Sequence, residues 1–433
     1  MLLRFGVQNF RSIKDRQEIS LIPSSLDDVK TGLIECGAAP GGRVLPAAII
    51  YGANAAGKSN LVSALEWMNF LILNSHSRGE PGGRVPRPFF RLNPESAKTS
   101  SGFDVDFVVE GVRYRYEVEA SDEAFVGERL YAYPNERRQM LFERENMNFV
   151  FGRGLRGQNK IISELTRPNS LFLSAAAQNS HETLSNISGF FRNIDVDTEI
   201  SVSDFNIAKY LSKGSLDRRT VNFLSKIKTG VVGHRVRTME RSKESQEFAN
   251  EFLSFIKKMT NQIKKATNQD INIESMASSM EIAYLELAHR GVDGKLKYFN
   301  LRRESDGTRR LLVLLEQIFP ALDVGSVVVC DELNASLHTQ AAEALIALFS
   351  SPSINPKGAQ LIATTHDTNL LRSPFLRRDQ VWFTEKDEEG ATHLYPLTDI
   401  RTRKGDNIER GYLQGRYGAV PFSGSVSELL SAD

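Results

Sequence analysis

The sequence predicts an α/β protein built on a P-loop nucleotide-binding core, with an antiparallel β-layer and a helical insertion. Three observations predict it. Gly52-Ala53-Asn54-Ala55-Ala56-Gly57-Lys58-Ser59 reads GxxxxGKS, preceded by an apolar run and followed by helical spacing. Val327 to Cys330 is an apolar run that ends in two carboxylates, Asp331 and Glu332. Leu361 to Thr365 is a further strand-like run that ends in His366 and Asp367.

Each element follows from its local pattern. Residues 2–22 alternate apolar and polar positions around Asn9-Phe10-Arg11-Ser12, as a strand, a turn and a strand would. Residues 44–51 are continuously apolar, as in a buried strand, and 58–75 have helical spacing. Between them Gly52 and Gly57 let the backbone turn tightly and point N–H groups at phosphate oxygens. The helix start adds its positive dipole end. Gly52, Asn54, Ala55, Ala56, Gly57, Lys58, Ser59 and Asn60 are therefore the expected nucleotide-binding residues. Lys58 would reach the β- and γ-phosphates, and the Ser59 hydroxyl would ligate Mg²⁺.

Residues 76–101 are rich in Gly, Pro and Ser and read as a long surface loop. Runs at 103–109, 112–118 and 129–133, bounded by turn residues, predict an antiparallel β-layer. Residues 205–266 read as helical, with Phe248, Phe252, Phe255, Met259 and Ile263 at i, i+3, i+4 spacing. This stretch holds 14 Lys and Arg against 5 Asp and Glu, a net of +9, so the remainder carries about −8 within a total of +1. Two readings stay open for it: a surface for nucleic acid or an acidic partner, or a solvated helical face. From 280 the pattern returns to α/β, with a strand at 281–287, a helix at 308–319, a strand at 326–330, a helix at 339–350, and strands at 360–365, 380–385 and 393–397. The expected organisation is a first core segment over 1–180, a basic helical insertion over 181–278, and a second core segment over 279–433.

The chain of 433 residues is 41% hydrophobic and 25% charged, which is ordinary for a globular protein. It carries two cysteines, Cys36 and Cys330, which argues for a reducing compartment and against a disulfide scaffold. No apolar run approaches the roughly 18 residues that span a bilayer, and Met1 to Gly6 lack a signal-peptide core. A cytoplasmic protein without a membrane partner is expected.

The chemistry rests on spacing. Asp331 would hold the Mg²⁺ shell, and Glu332 would polarise an attacking water. His366, 35 residues after Asp331, is placed to hydrogen-bond a γ-phosphate and report its presence. Ser305-Asp306-Gly307 opens the predicted helix 26 residues before Asp331 and makes a second anion site. One P-loop takes one phosphate chain, so Ser305 and Gly307 are expected to serve the nucleotide of a partner subunit, which implies a homodimer or higher even oligomer with a composite site.

These residues resemble an ABC-class ATPase head of the RecF/SMC/OLD lineage. Ser305-Asp306-Gly307 resembles a divergent ABC signature, Asp331-Glu332 the Walker B motif, Ala335-Ser336-Leu337-His338 the D-loop, and His366 the switch histidine. Asn9-Phe10-Arg11-Ser12 resembles the N-terminal turn of RecF and SMC heads, which implies that Arg11 lies near the nucleotide. Glu304 to Leu312, Asn334 to His338, Ala363 to Asp367 and Tyr412-Leu413-Gln414-Gly415-Arg416-Tyr417-Gly418 resemble the stand-alone ATPases of anti-phage systems, the RloA/AbiL-like group, with PARIS and Septu ATPases as relatives. Two departures stand out: His338 replaces the Asp of transporter D-loops, and Asn334 stands where relatives often carry a carboxylate. The Q-loop glutamine remains open among Gln139, Gln158 and Gln178.

The resemblance implies ATP and Mg²⁺ as cofactors and ATP hydrolysis in which Lys58, Glu332 and His366 act on the γ-phosphate. Lys58 and Asp331 are 273 residues apart, so the head is assembled from two segments around an insertion. That insertion does not sustain heptads, which excludes an SMC-length coiled coil. The 67 residues after His366 leave no room for the Toprim nuclease of OLD proteins. The expected role is a defence ATPase that dimerises around ATP and controls a separate effector, a Toprim-type nuclease or toxin. The alternatives are a RecF-like DNA-repair ATPase that binds DNA through 205–266, or an ATP-dependent structural switch with little turnover.

Overall fold

The computed structural model describes residues 1–25, 32–197, 215–238, 283–403 and 405–420. The chain divides into two compact units: Met1–Ile200 with Pro320–Asp433, and Ser201–Phe319.

The first unit holds two large sheets. A six-stranded sheet runs in the order Ile194–Asp197, Val327–Cys330, Gln360–Thr364, Ala47–Gly52, Val381–Lys386 and Thr392–Pro396. The first five strands are mutually parallel and the last is antiparallel to its neighbour. All six residues of Ala47–Gly52 are buried, as are all four of Val327–Cys330, which is why these strands read as unbroken apolar runs. The helix Lys58–Arg78 follows the loop after Ala47–Gly52 and buries Leu61, Val62, Leu65, Met68 and Ile72. His76 and Arg78 in its last turn suit the negative end of its dipole.

The second sheet is the predicted β-layer, with seven antiparallel strands: Asn148–Phe151, Gln139–Glu145, Phe125–Tyr133, Val112–Ala120, Ser101–Val109, Leu2–Gln8 and Gln17–Ser20. It has more strands than the three runs predicted. Phe5, Val7, Phe103, Val105 and Tyr116 of this layer join Ile50, Val329 and Ile362 of the parallel sheet and Leu61 and Leu65 of the long helix in one apolar core.

Two expectations need correction. The segment 76–101 is not a bare surface loop: the long helix continues to Arg78, Val85 and Phe90 are buried, and Pro94–Ala97 forms a 3-10 turn. Arg87 closes it by donating to Thr99 O, Ala97 O and Asp122 Oδ1, while the Asn9 side chain donates to Ser96 O and accepts from the Phe90 N–H. The stretch 205–266 is not uniformly helical. Arg218–Lys226 is a helix, but Val231–Thr238 is a strand paired with Ala283–Arg290, which in turn pairs with Leu296–Asn300. Val231, Val232, Val236 and Thr238 are β-branched and favour the strand. Phe248, Phe252, Phe255, Met259 and Ile263 lie outside the described residues. The second compact unit spans Ser201–Phe319, beside the 181–278 expected for the insertion. The helix Glu182–Arg192 and the strand Ile194–Asp197 belong to the first unit, and 279–319 to the second.

Within the second unit, several cations of the basic stretch are engaged internally. Arg219 pairs with Asp217 at 2.6 Å and lies over the Phe319 ring, and Arg235 pairs with Glu286 at 2.6 Å and lies over the Tyr298 ring. Among the described residues no helix is long and apolar enough to cross a membrane. Cys36 and Cys330 are both buried, and neither is in a disulfide.

Candidate functional site

Parallel strands end at a common edge, and the loops that leave this edge form the binding crevice of open α/β sheets. Three adjacent strands deliver the predicted chemistry there. Ala47–Gly52 leads into the phosphate loop, Gln360–Thr364 beside it leads to His366, and Val327–Cys330 beyond leads to Asp331 and Glu332. The register keeps them level: Cys330 pairs with Ala363, and Ala363 with Ile49.

The phosphate loop is walled by two threonines from late in the chain. A Cβ on Gly52 would collide with Thr384, and a Cβ on Gly57, whose φ is 104°, would collide with Thr392. Thr392 Oγ1 donates to Ala56 O at 3.0 Å and lies 2.8 Å from Ser12 Oγ, which accepts from Asn60 Nδ2 at 2.6 Å. Asn60 thus braces the loop. Ala55 takes a left-handed conformation (φ 64°), and Asn54, Ala55 and Ser59 are exposed. No side chain caps the helix that starts at Lys58, which leaves its N-terminus suited to an anion. Arg11, at φ 49°, donates to Ser63 Oγ at 2.9 Å, one turn along the same helix from Ser59.

Lys58 is buried, and its Nζ donates to Gly52 O and Ala53 O, each at 2.9 Å. Burial lowers its pKa to about 8, with the charges of Asp331 and Glu332 pulling the other way. A polyphosphate favours the charged ammonium, so binding above this pKa requires proton uptake. ATP affinity is expected to be flat below about pH 7 and to fall by up to about tenfold per pH unit above pH 8, until the nucleotide-bound lysine itself titrates. Titration with a fluorescent ATP analogue between pH 6.5 and 9.5 checks this, and a flat profile would show that Lys58 stays charged throughout. For folding the sign is the reverse. A pKa lowered from 10.5 means that the unfolded chain holds the proton more tightly, so this group's destabilising effect fades as pH rises from about 8 to about 10.5.

Asp331 is buried, and its Oδ1 accepts from Thr364 Oγ1 at 2.5 Å. The same hydroxyl oxygen accepts from the Glu332 N–H at 2.8 Å, and Glu332 sits at φ 51°. Asn334 Oδ1 accepts from Thr365 Oγ1 at 2.8 Å and from the His366 N–H at 3.1 Å, so this departure from the resemblance fixes the histidine segment. His366 is exposed, and desolvation together with the charge of Lys58 lowers its pKa below 6.5, against the opposing pull of Glu332 and Asp331. Lys58, Asp331, Glu332 and His366 therefore lie within electrostatic reach of one another. His338, the D-loop departure, caps the helix Thr339–Ser350 by accepting from the Gln340 N–H.

In the second unit, Ser305 Oγ accepts from the Thr308 N–H at 3.2 Å and so caps the helix Asp306–Val324, which starts at the predicted signature. None of the three Q-loop candidates follows a parallel strand. Gln139 opens the strand Gln139–Glu145, Gln158 precedes the short helix Asn159–Leu165, and Gln178 ends the short helix Phe172–Gln178.

Sequence reasoning assigned no role to Thr364 or Thr392, and it named Ser12 only as part of the N-terminal turn. Thr364 ends its strand, Thr392 opens one and Ser12 lies in a turn, so no common local signal marks them. Among the described residues no group of three or more His, Cys, Asp or Glu could hold a metal. A phosphate-bound Mg²⁺ takes one or two protein ligands and keeps its waters, and Ser59 and Asp331 are the candidates for such a set.

Among solved structures the chain is similar to the SMC head domain from Thermotoga maritima, at 14% identity and a TM-score of 0.39, covering 91% of this chain and 98% of that one. It is also similar to a Smc head domain with an extended coiled coil bound to the C-terminal domain of ScpA derived from Pyrococcus furiosus, at 13% identity and a TM-score of 0.34, covering 92% and 97%. No curated protein matches it. The family model described as "AAA domain, putative AbiEii toxin, Type IV TA system" matches residues 47–372, from the phosphate-loop strand past His366, and the chain belongs to that family of AAA-type P-loop ATPases.

Proposed function

We propose that this protein binds ATP between two copies of itself, hydrolyses it, and through the closed dimer regulates a separate effector, a nuclease or toxin, in bacterial anti-phage defence. The observation that carries this reading is the convergence of Lys58, Asp331, Glu332 and His366 at one sheet edge beside an uncapped helix start. The toxin and toxin–antitoxin wording of the matched family, and the resemblance to RloA/AbiL-like ATPases, support the defence role.

In this mechanism the loop N–H groups and Lys58 hold the phosphates, with Arg11 near the nucleotide and Ser305 and Gly307 of the other copy capping the γ-phosphate. Ser59 and Asp331 would hold Mg²⁺, which would neutralise phosphate charge. Glu332 orients a water in line and takes its proton as the new P–O bond forms and the bond to the β–γ bridging oxygen breaks. His366, neutral at pH 7, hydrogen-bonds the γ-phosphate.

Ser305→Arg is expected to abolish dimer-dependent turnover while sparing ATP binding by the monomer. Phosphate release and nucleotide binding measured on the same preparation check this, and unchanged turnover would sink the composite site. The effector is tested by co-purification with the tagged protein from its native operon, with and without Glu332→Gln. Recovery of a nuclease or toxin in a nucleotide-dependent manner supports the role, and recovery of no operon partner in either form counts against it.

A further inference from the structure

We infer that Thr364 is the positioning residue that aims both acidic groups of the site at once. The inference rests on the reading of Asp331 as metal ligand and Glu332 as water-directing base. Thr364 is fully buried at the end of its strand, between the phosphate-loop strand and the strand that leads to the acids. Its hydroxyl donates to Asp331 Oδ1 at 2.5 Å and accepts from the Glu332 N–H at 2.8 Å. Its carbonyl oxygen accepts from the Leu333 N–H at 2.9 Å. One residue thus holds the side chain of the first acid and the backbone of the second.

The backbone contact matters because Glu332 lies in the left-handed region at φ 51°. A non-glycine residue persists there only when its surroundings over-determine it. With the hydroxyl gone, the Glu332 N–H loses its acceptor and the turn is free to relax to a right-handed conformation, which re-aims the Glu332 carboxylate. Asp331 Oδ1 loses the Thr364 hydroxyl in the same step. Residues that orient metal ligands from behind typically cost 10–100-fold in metal affinity or activity when changed. Valine keeps the shape and branching of threonine and removes only the hydroxyl.

The test uses the full chain with Thr364→Val and Thr364→Ser. Affinity for a fluorescent ATP analogue is measured in EDTA and across a Mg²⁺ titration, and steady-state turnover beside it. In EDTA both variants should match wild type within about twofold, because Lys58 and the phosphate loop are untouched. Thr364→Val should raise the Mg²⁺ concentration at half-effect and lower kcat, each by about 10–100-fold. Serine should restore both. Thr364→Ala carries the same comparison if the valine variant does not fold. A valine variant with wild-type Mg²⁺ dependence and kcat overturns the inference, as does failure of serine to rescue. A wild type that binds ATP in a Mg²⁺-dependent way without turnover overturns the hydrolytic reading instead, and the Mg²⁺ titration still decides the role of Thr364.

Discussion

Glu332→Gln is expected to lower turnover by about 10²–10⁴-fold while ATP still binds. The amide keeps the size of the side chain and leaves the Glu332 N–H on Thr364, so the turn at φ 51° is retained. What is lost is the ability to take a proton from water. The P-loop contacts of Lys58 do not depend on that carboxylate, so affinity should stay within a few-fold of wild type. If two copies close around ATP, the variant should accumulate as an ATP-bound dimer. Phosphate release, filter binding and light scattering on one preparation read all three quantities. Turnover near wild type would remove Glu332 from the role of base, and intact effector control with turnover lost would favour a switch that needs binding alone.

Glu128→Ala is expected to destabilise the first unit by about 3–5 kcal/mol. Glu128 and Arg144 are fully buried between the antiparallel layer and the short helix Phe172–Gln178. Glu128 accepts from the Phe172 N–H at 2.6 Å, the Leu173 N–H at 2.9 Å and Tyr116 OH at 2.8 Å. It thereby caps that helix and faces the guanidinium, whose other donors reach Ser170 O, Pro168 O and Asn146 O. Alanine would leave a buried cation and unsatisfied amides, while Glu128→Gln keeps an acceptor and should lose less. Urea unfolding of the whole chain checks the order alanine, glutamine, wild type. An alanine variant as stable as wild type would show that water replaces the carboxylate.

This cluster also explains where the sequence was hard to read. Only Arg129 to Tyr133 of the strand Phe125–Tyr133 was visible as a strand, because Glu128 faces inward and breaks the alternation. Arg144 does the same to Gln139–Glu145. An inward charge reads as an outward one until its partner is known, and the partner comes from another strand. The phosphate loop, its strand and its helix were legible because their signals are contiguous. The helix Thr339–Ser350 was legible to the residue, since an alanine- and leucine-rich run follows a capping histidine. Val231–Thr238 was misread because the helical spacing at 248–263 was extended over its β-branched residues. In the site, each chemistry-bearing residue stood at the end of its own apolar run. The hydroxyls that hold those residues in place did not stand out, since a threonine in a strand is ordinary until the strand's neighbours are known.

The wall of the phosphate loop bears on how the protein is made. Thr392 reaches Ala56 across 336 residues of chain, and Thr384 presses on Gly52 from a strand of similar remoteness. Synthesis runs from the N-terminus, and contacts this distant form late. A growing chain therefore carries the GxxxxGKS sequence without the surface that shapes it until Thr392 has been made. The wall of the loop is complete only once the strands Val381–Lys386 and Thr392–Pro396 have emerged and paired.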